Sequence, residues 1–181
     1  GTAEDDRTRI IEQISQAAER LSERRHGALI VLERTTGLGE YERTGVPLHA
    51  DVTPQLLLTI FWPKSELHDG AVIIANGRIV AAAAVLPLSA ARSLSGPKLG
   101  TRHRAAIGMT EVSDAVTVVI SEETGRISVA SGGRLISRLD GKRLRTILSA
   151  MYGPQNGDEQ PWYQRLRSAL PARVNPAPPV P

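Results

Sequence analysis

Residues 70–86, GAVIIANGRIVAAAAVL, decide the fold. Two apolar runs, Gly70–Ala75 and Arg78–Leu86, flank Asn76-Gly77. This dipeptide is the strongest short-range hairpin signal, because both turn positions need a positive φ. The sequence therefore predicts two antiparallel strands here. Four small side chains, residues 81–84, favour close packing of the second strand against a neighbouring element, and a flat ligand lying on that face is the alternative.

The segments on either side of this hairpin alternate between helix and strand patterns. Thr53-Pro54 is a helix start, with threonine as the N-cap and proline in the first turn, and Pro63 ends that helix. Other helices are predicted at 6–25, 102–112 and 144–153, a buried strand at 28–32, and a second hairpin at 115–121 and 126–130. This mixture favours a single α/β domain, with a mixed parallel and antiparallel sheet covered by helices.

The composition excludes several classes of protein. The chain has 181 residues and no cysteine, which rules out disulfides, thiol nucleophiles and cysteine-based metal sites. No apolar run reaches the roughly 18 residues of a membrane span, so we expect this chain to be soluble. Aromatic residues are 3% of the chain and the net charge is +3, so nucleic-acid binding is disfavoured.

The segment Leu99–Arg104, LGTRHR, is the most informative candidate site. Thr101 is the predicted N-cap, which places Arg102, His103 and Arg104 in the first helical turn. Cations there oppose the helix dipole at a cost of roughly 0.3–1 kcal/mol each. A bound anion would reverse that sign, because backbone N–H groups and two guanidinium groups would converge on it. A solvated basic turn explains the spacing equally well.

Two further segments carry candidate ligands. In Leu67–Ala71, LHDGA, Asp69 lies where a loop enters a strand, and its carboxylate suits a hard divalent cation. Ser121–Gly125, SEETG, places a hydroxyl and two carboxylates at a hairpin tip. Taken alone, each is better explained as an ordinary turn. His26 and His49 have no recognisable partners and are predicted to be surface residues.

Five stretches together carry a resemblance to a known family. They are residues 27–33 (GALIVLE), 67–74 (LHDGAVII), 86–89 (LPLS), 99–106 (LGTRHRAA) and 121–125 (SEETG). In this order, across roughly residues 10–140, they resemble the diadenylate cyclase domain. The combination of Asp-Gly-Ala with Arg-His-Arg is the most specific part. Among subfamilies the chain looks like the membrane-anchored CdaA type.

The resemblance implies a reaction in which two ATP give cyclic di-AMP and two pyrophosphates, with Mn²⁺, Mg²⁺ or Co²⁺. Asp69 would bind the metal and help to activate the ribose 3′-hydroxyl, with His68 and Glu123 as further metal contacts. The residues implied in ATP binding are Gly70, Ala71, Leu86 on the adenine, Gly100, Thr101, Arg102, His103, Arg104, Ser121, Glu122 and Glu123. The alternative is a module that binds ATP or cyclic di-AMP without turnover.

The resemblance also implies partners and a division of the chain. Cyclisation needs two ATP, so a homodimer is expected, and nucleic acid is not. The full-length protein would be held at the cell membrane with its catalytic domain in the cytoplasm, with a possible membrane-bound regulatory partner. The expected parts are a linker helix at 1–26, the catalytic domain at 27–153, a helical extension at 154–170 and a disordered Pro-rich tail at 171–181.

Overall fold

A computed structural model describes residues 3–90 and 99–154. Almost all of the predicted extension and the whole Pro-rich tail lie outside the described residues. In chain order the elements are α1 (Ala3–Arg24), β1 (Ala28–Leu32), α2 (Gly39–Glu42), β2 (Val46–Asp51), α3 (Pro54–Ile60), β3 (Ala71–Ala75), β4 (Arg78–Ala84), α4 (Thr101–Val112), β5 (Val116–Ile120), β6 (Ile127–Ser131), β7 (Arg134–Leu139) and α5 (Gly141–Met151).

The strands form one seven-stranded sheet in the order β2-β4-β3-β1-β5-β6-β7. β1 and β3 are parallel, and every other neighbouring pair is antiparallel. One apolar cluster joins the sheet to α1, α3 and α5. A smaller cluster joins the opposite face to α4. This arrangement confirms the predicted mixed sheet covered by helices.

The first helix is part of the core. Its apolar stripe is fully buried, and the residues concerned are Ile10, Ile14, Ala17, Ala18 and Leu21. These side chains lie in the same cluster as those of α3 and α5. The segment that the sequence suggests as a linker therefore also supplies one of the helices that cover the sheet.

The turn and cap signals predict local structure well. Asn76 and Gly77 both have positive φ, 51° and 77°, and they join β3 to β4 as expected. The Thr53 hydroxyl accepts a hydrogen bond from the Leu56 amide at 3.1 Å, and Pro54 is the first residue of α3. These residues act within a few positions of themselves, so the sequence alone is enough to identify them.

Three elements are absent from the sequence prediction: α2 and the edge strands β2 and β7. Edge strands bury less of their surface than central strands, so they lack a strong apolar pattern. β2, Val46–Asp51, has no buried residue, and β7, Arg134–Leu139, has one. α2 has only four residues, too few to show a helical period.

Two residue-level predictions are wrong. Thr101 is not the N-cap of α4, because the helix already includes it and Gly100, with extended backbone, precedes it without a side-chain cap. His26 is half-buried, and its ring lies edge-on to that of Trp62, with the ring centroids 5.3 Å apart. His49 is exposed as predicted.

Across residues 3–90 and 99–154, no helix has both the length and the apolar character needed to cross a membrane.

Candidate functional site

The sheet register brings the separated sequence motifs to one end of the molecule. Ile30 pairs with Val72 in parallel, so β1 and β3 begin at the same end. Ala28 pairs with Ile120 in antiparallel, so β5 finishes at that end. Asp69 and the 121–125 turn are therefore neighbours across the start of β1. The LHDGA and SEETG segments lie more than 45 residues apart in the chain. They meet at one end of the central strands β1, β3 and β5, which we call the site edge.

The amino terminus of α4 lies over the same edge. The Arg102 guanidinium is 3.4 Å from a carboxylate oxygen of Glu122. It also packs on Gly27, where a Cβ atom would lie 2.6 Å from Arg102 Cζ. Arg102 therefore connects the basic turn to the SEETG turn and to the start of β1. The sequence gives no sign of this contact, since only the tertiary structure brings residue 102 to Gly27.

Gly70 explains how the loop before β3 fits beside β4. It has φ +121°, and a Cβ atom there would lie 2.7 Å from the backbone of Ala83. Ala83 itself has φ 53°, at an irregularity in the β3–β4 pairing. Gly70 thus permits the close approach of the β4 backbone. Asp69, directly before it, is exposed at the edge of the sheet.

His68 is held in one tautomer by its loop. Its Nδ1 atom lies 2.6 Å from the Ser65 carbonyl oxygen, and a carbonyl can only accept, so Nδ1 donates. The other ring nitrogen, Nε2, is not used in this hydrogen bond. Within residues 3–90 and 99–154, however, no three histidine or acidic side chains gather as a metal-holding group. His68, Asp69 and Glu123 therefore do not form a complete metal centre by themselves.

The segment after β4 is locked against α4. The Ser89 amide donates to the Arg104 carbonyl at 2.9 Å, and the Arg104 side chain donates to the Ser89 carbonyl at 3.3 Å. Ser89 also hydrogen bonds Glu111. Gly108 permits this contact, because a Cβ atom there would collide with the Pro87 carbonyl oxygen. Leu86 is buried in the smaller apolar cluster, against α4.

The SEETG turn is closed by its own polar groups. The Ser121 hydroxyl accepts a hydrogen bond from the Thr124 amide at 3.3 Å. Gly125 has φ +74°, and its carbonyl accepts from the Ser22 hydroxyl at 2.5 Å, which ties the turn to α1. These bonds fix the base of the turn and leave Glu122 and Glu123 exposed.

The two acidic residues of this turn face different partners on α4. Glu122 pairs with Arg102, as described above. Burial lowers the pKa of His103, the positive charge of Arg102 lowers it further, and Glu123 opposes them. The lowered pKa favours the neutral imidazole near pH 7. The edge presents two guanidinium groups, a neutral imidazole and backbone N–H groups at a helix start, which suits a polyanion.

The chain is similar to several known proteins. The family described as "DisA bacterial checkpoint controller nucleotide-binding" matches residues 15–135. Cyclic di-AMP synthase CdaA of Bacillus subtilis is 46% identical over 90% of this chain and 60% of its own length. A diadenylate cyclase of Listeria monocytogenes is 49% identical over 77% of this chain and 50% of its own. The chain thus spans 50–60% of the length of these relatives.

Two solved structures are similar to the chain in fold as well as in sequence. The crystal structure of a DacA double mutant from Staphylococcus aureus superposes with a TM-score of 0.77 at 44% identity. The match covers 82% of this chain and 98% of that one. A hypothetical membrane spanning protein from Bacillus cereus matches with a TM-score of 0.67 at 50% identity, over 71% of this chain and 62% of that one.

Proposed function

The chain belongs to the diadenylate cyclase (DisA nucleotide-binding) domain family, and from that premise we propose that it condenses two ATP into cyclic di-AMP and two pyrophosphates. One observation supports this most directly. Arg102, on the helix start, is in contact with Glu122 and Gly27 at the edge where Asp69 lies. This supports a site in which a single nucleotide meets both the basic turn and the acidic groups.

The proposed binding mode follows from charge. The triphosphate lies at the amino terminus of α4, where the N–H groups of Gly100 and Thr101 and the helix dipole favour negative charge. Arg102 and Arg104 supply guanidinium forks for phosphate oxygens. His103, neutral in the free protein, offers a ring hydrogen bond. Gly70 and Ala71 flank the nucleotide, Leu86 packs near the adenine, and Ser121 and Glu122 line the phosphates.

The chemistry is a substitution at phosphorus. The 3′-oxygen of one nucleotide attacks the α-phosphorus of the other, and the bond from that phosphorus to the bridging oxygen of pyrophosphate breaks. The hydroxyl proton passes to Asp69 or to solvent, and the reciprocal attack closes the ring. The arginines stabilise the charge that builds on the phosphoryl oxygens. The protein contributes mainly by position and charge.

The donor set fits a divalent metal that is shared with the substrate. Mg²⁺ and similar ions are commonly held by one or two carboxylates together with substrate phosphates and water. Asp69 is exposed at the edge and supplies such a carboxylate, with Glu123 and Nε2 of His68 as further candidates. We propose Mn²⁺, Mg²⁺ or Co²⁺ in this place, where the ion would neutralise phosphate charge and acidify the 3′-hydroxyl.

The proposal requires two copies of the chain. One chain carries one set of these motifs and holds one ATP, which is half of the reactants. Two copies meeting through their site edges would bring both nucleotides together and make the attack a matter of positioning. We further propose that the longer protein is held at a membrane, which the description of the Bacillus cereus neighbour as membrane spanning supports.

The test separates catalysis from binding. The wild-type chain and Asp69→Asn are incubated with ATP and Mn²⁺, product is followed by mass spectrometry, and ATP affinity is measured by calorimetry. We expect cyclic di-AMP from the wild type only, with binding largely kept in the variant. A wild-type chain that binds ATP but yields no product would identify a binding module instead. Equal product from both proteins would remove Asp69 from the mechanism.

A further inference from the structure

Gly27 occupies a position where backbone conformation does not require glycine. It is buried between α1 and β1, and its φ lies outside the left-handed region. Any L residue could adopt this backbone, so the reason for glycine has to be space. The residue that uses this space is Arg102, which is 75 positions away in the chain.

The contact is made by the charged end of the arginine. A Cβ atom on Gly27 would lie 2.6 Å from Arg102 Cζ, 2.6 Å from Nη1 and 3.0 Å from Nε. The guanidinium group therefore rests on the bare Cα of Gly27. Glu122 lies 3.4 Å from Nη1 of the same group. The arginine side chain is only 24% exposed, so these two contacts restrict where its fork can point.

We propose that Gly27 is a positioning residue. Because it has no side chain, it leaves the space in which the Arg102 guanidinium group lies and is oriented toward the triphosphate. The inference rests on the proposed function for its catalytic meaning. An arginine fork binds phosphate strongly only when its plane and direction are set, because its N–H donors have a fixed geometry. A methyl group at residue 27 would displace the Arg102 guanidinium group from this position without removing its positive charge.

The geometry also predicts that Gly27→Ala folds. The colliding atoms belong to the far end of a flexible side chain and not to backbone, so Arg102 can swing away. The matched control is Gly37→Ala, because no atom lies within 4 Å of a Cβ at that residue. The two variants make the same chemical change, and only the first disturbs the arginine.

The experiment is a double-mutant cycle with three readouts. ATP affinity and the rate of cyclic di-AMP formation are measured for wild type, Gly27→Ala, Arg102→Ala, the double variant and Gly37→Ala, along with the melting temperature of each. We expect Gly27→Ala to weaken ATP binding and lower the rate by about tenfold or more, the scale of one charge-assisted hydrogen bond. In the Arg102→Ala background, Gly27→Ala should cause no further loss of ATP affinity or of rate. The melting temperature should stay close to that of Gly37→Ala.

A fourth readout depends on neither ATP binding nor catalysis. The Nε–Hε NMR resonance of Arg102, recorded without nucleotide, should shift in Gly27→Ala and not in Gly37→Ala. If the wild type neither binds nor cyclises ATP, the proposed function fails, while this shift still reports the contact between Gly27 and Arg102. An unmoved resonance, or equal losses with and without Arg102, would overturn the role of Gly27.

Discussion

Arg102 and His103 are adjacent on the first turn of α4 but contribute differently to the site. Burial lowers the pKa of His103, and the charge of the neighbouring Arg102 lowers it further. The sequence places both side chains in the first turn, and the structure confirms it. The pKa of His103 could not be read from spacing, because it depends on burial and on Glu123, which belongs to another segment.

Nucleotide binding should raise the pKa of His103. A triphosphate beside the ring favours the imidazolium, so binding takes up a proton at pH values between the free and bound pKa. Affinity should accordingly rise as the pH falls through that range. The measurement is an NMR titration of the His103 ring with and without ATP. Because ATP itself titrates nearby, calorimetry on His103→Gln is the control, and an unchanged ring pKa would place the triphosphate elsewhere.

At the scale of the elements, the signals that act locally are the ones that sequence reasoning captures. The Asn76-Gly77 turn and the Thr53 cap need only their neighbours in the chain, and both are confirmed. β2 and β7 were missed because exposed edge strands carry little apolar pattern. The predicted cap at Thr101 is wrong because α4 begins one residue earlier than predicted, so that Gly100 is the N-cap and Thr101 is already helical.

The pairing of α1 with α5 depends on an arginine that no local pattern identifies. Arg145 donates two hydrogen bonds to Glu12, at 2.8 and 3.0 Å, and a third to Glu19 at 2.5 Å. The Arg145 hydrogen bonds and then that of Gln16 lower the pKa of Glu12 from 4.5 to about 2. The same carboxylates raise the pKa of Arg145. These hydrogen bonds join α1 to α5, the last described helix.

Removing this cluster should destabilise the fold in a pH-dependent way. The depressed pKa of Glu12 gives stability that is complete above its ordinary value of 4.5 and is lost as the pH falls toward about 2. The side chains are one-third to nearly half exposed, so solvent screens the pairs. We expect Arg145→Ala to cost about 1 kcal/mol near pH 7.

Urea unfolding of the wild type and Arg145→Ala from pH 7 to pH 2 measures this contribution. The two unfolding free energies should converge at the acidic end, and the difference near pH 7 should shrink in high salt. Arg20→Ala, which removes an exposed arginine from α1, the helix that carries Glu12 and Glu19, is the control. A difference that persists at pH 2 would assign the effect to packing of the Arg145 stem.

At the scale of the whole molecule, the sheet order determines the site. The motifs begin at residues 67, 99 and 121. The pairing of β1 with both β3 and β5 brings the first and the last of them to one end of the central strands. The family resemblance indicated that these residues act together. Composition and spacing could not, since each motif alone is also an ordinary turn. The position of Gly27 under Arg102 follows from the same topology.

The whole-molecule prediction concerns the number of chains that react together. If each chain binds one ATP and cyclisation needs two, the rate per subunit at saturating ATP should rise with protein concentration and reach a plateau once dimers dominate. ATP affinity per chain should change little over the same range, because the phosphate-binding residues of one nucleotide come from one chain in this proposal. The measurement is initial rate against chain concentration from the nanomolar to the micromolar range, with Asp69→Asn mixed in as a control.

An excess of that variant should draw wild-type chains into mixed pairs, in which only one of the two attacks has its aspartate, and so lower the yield of cyclic product per wild-type chain. A rate per subunit that stays constant down to concentrations where sedimentation shows only monomers would mean that one chain completes the reaction by itself.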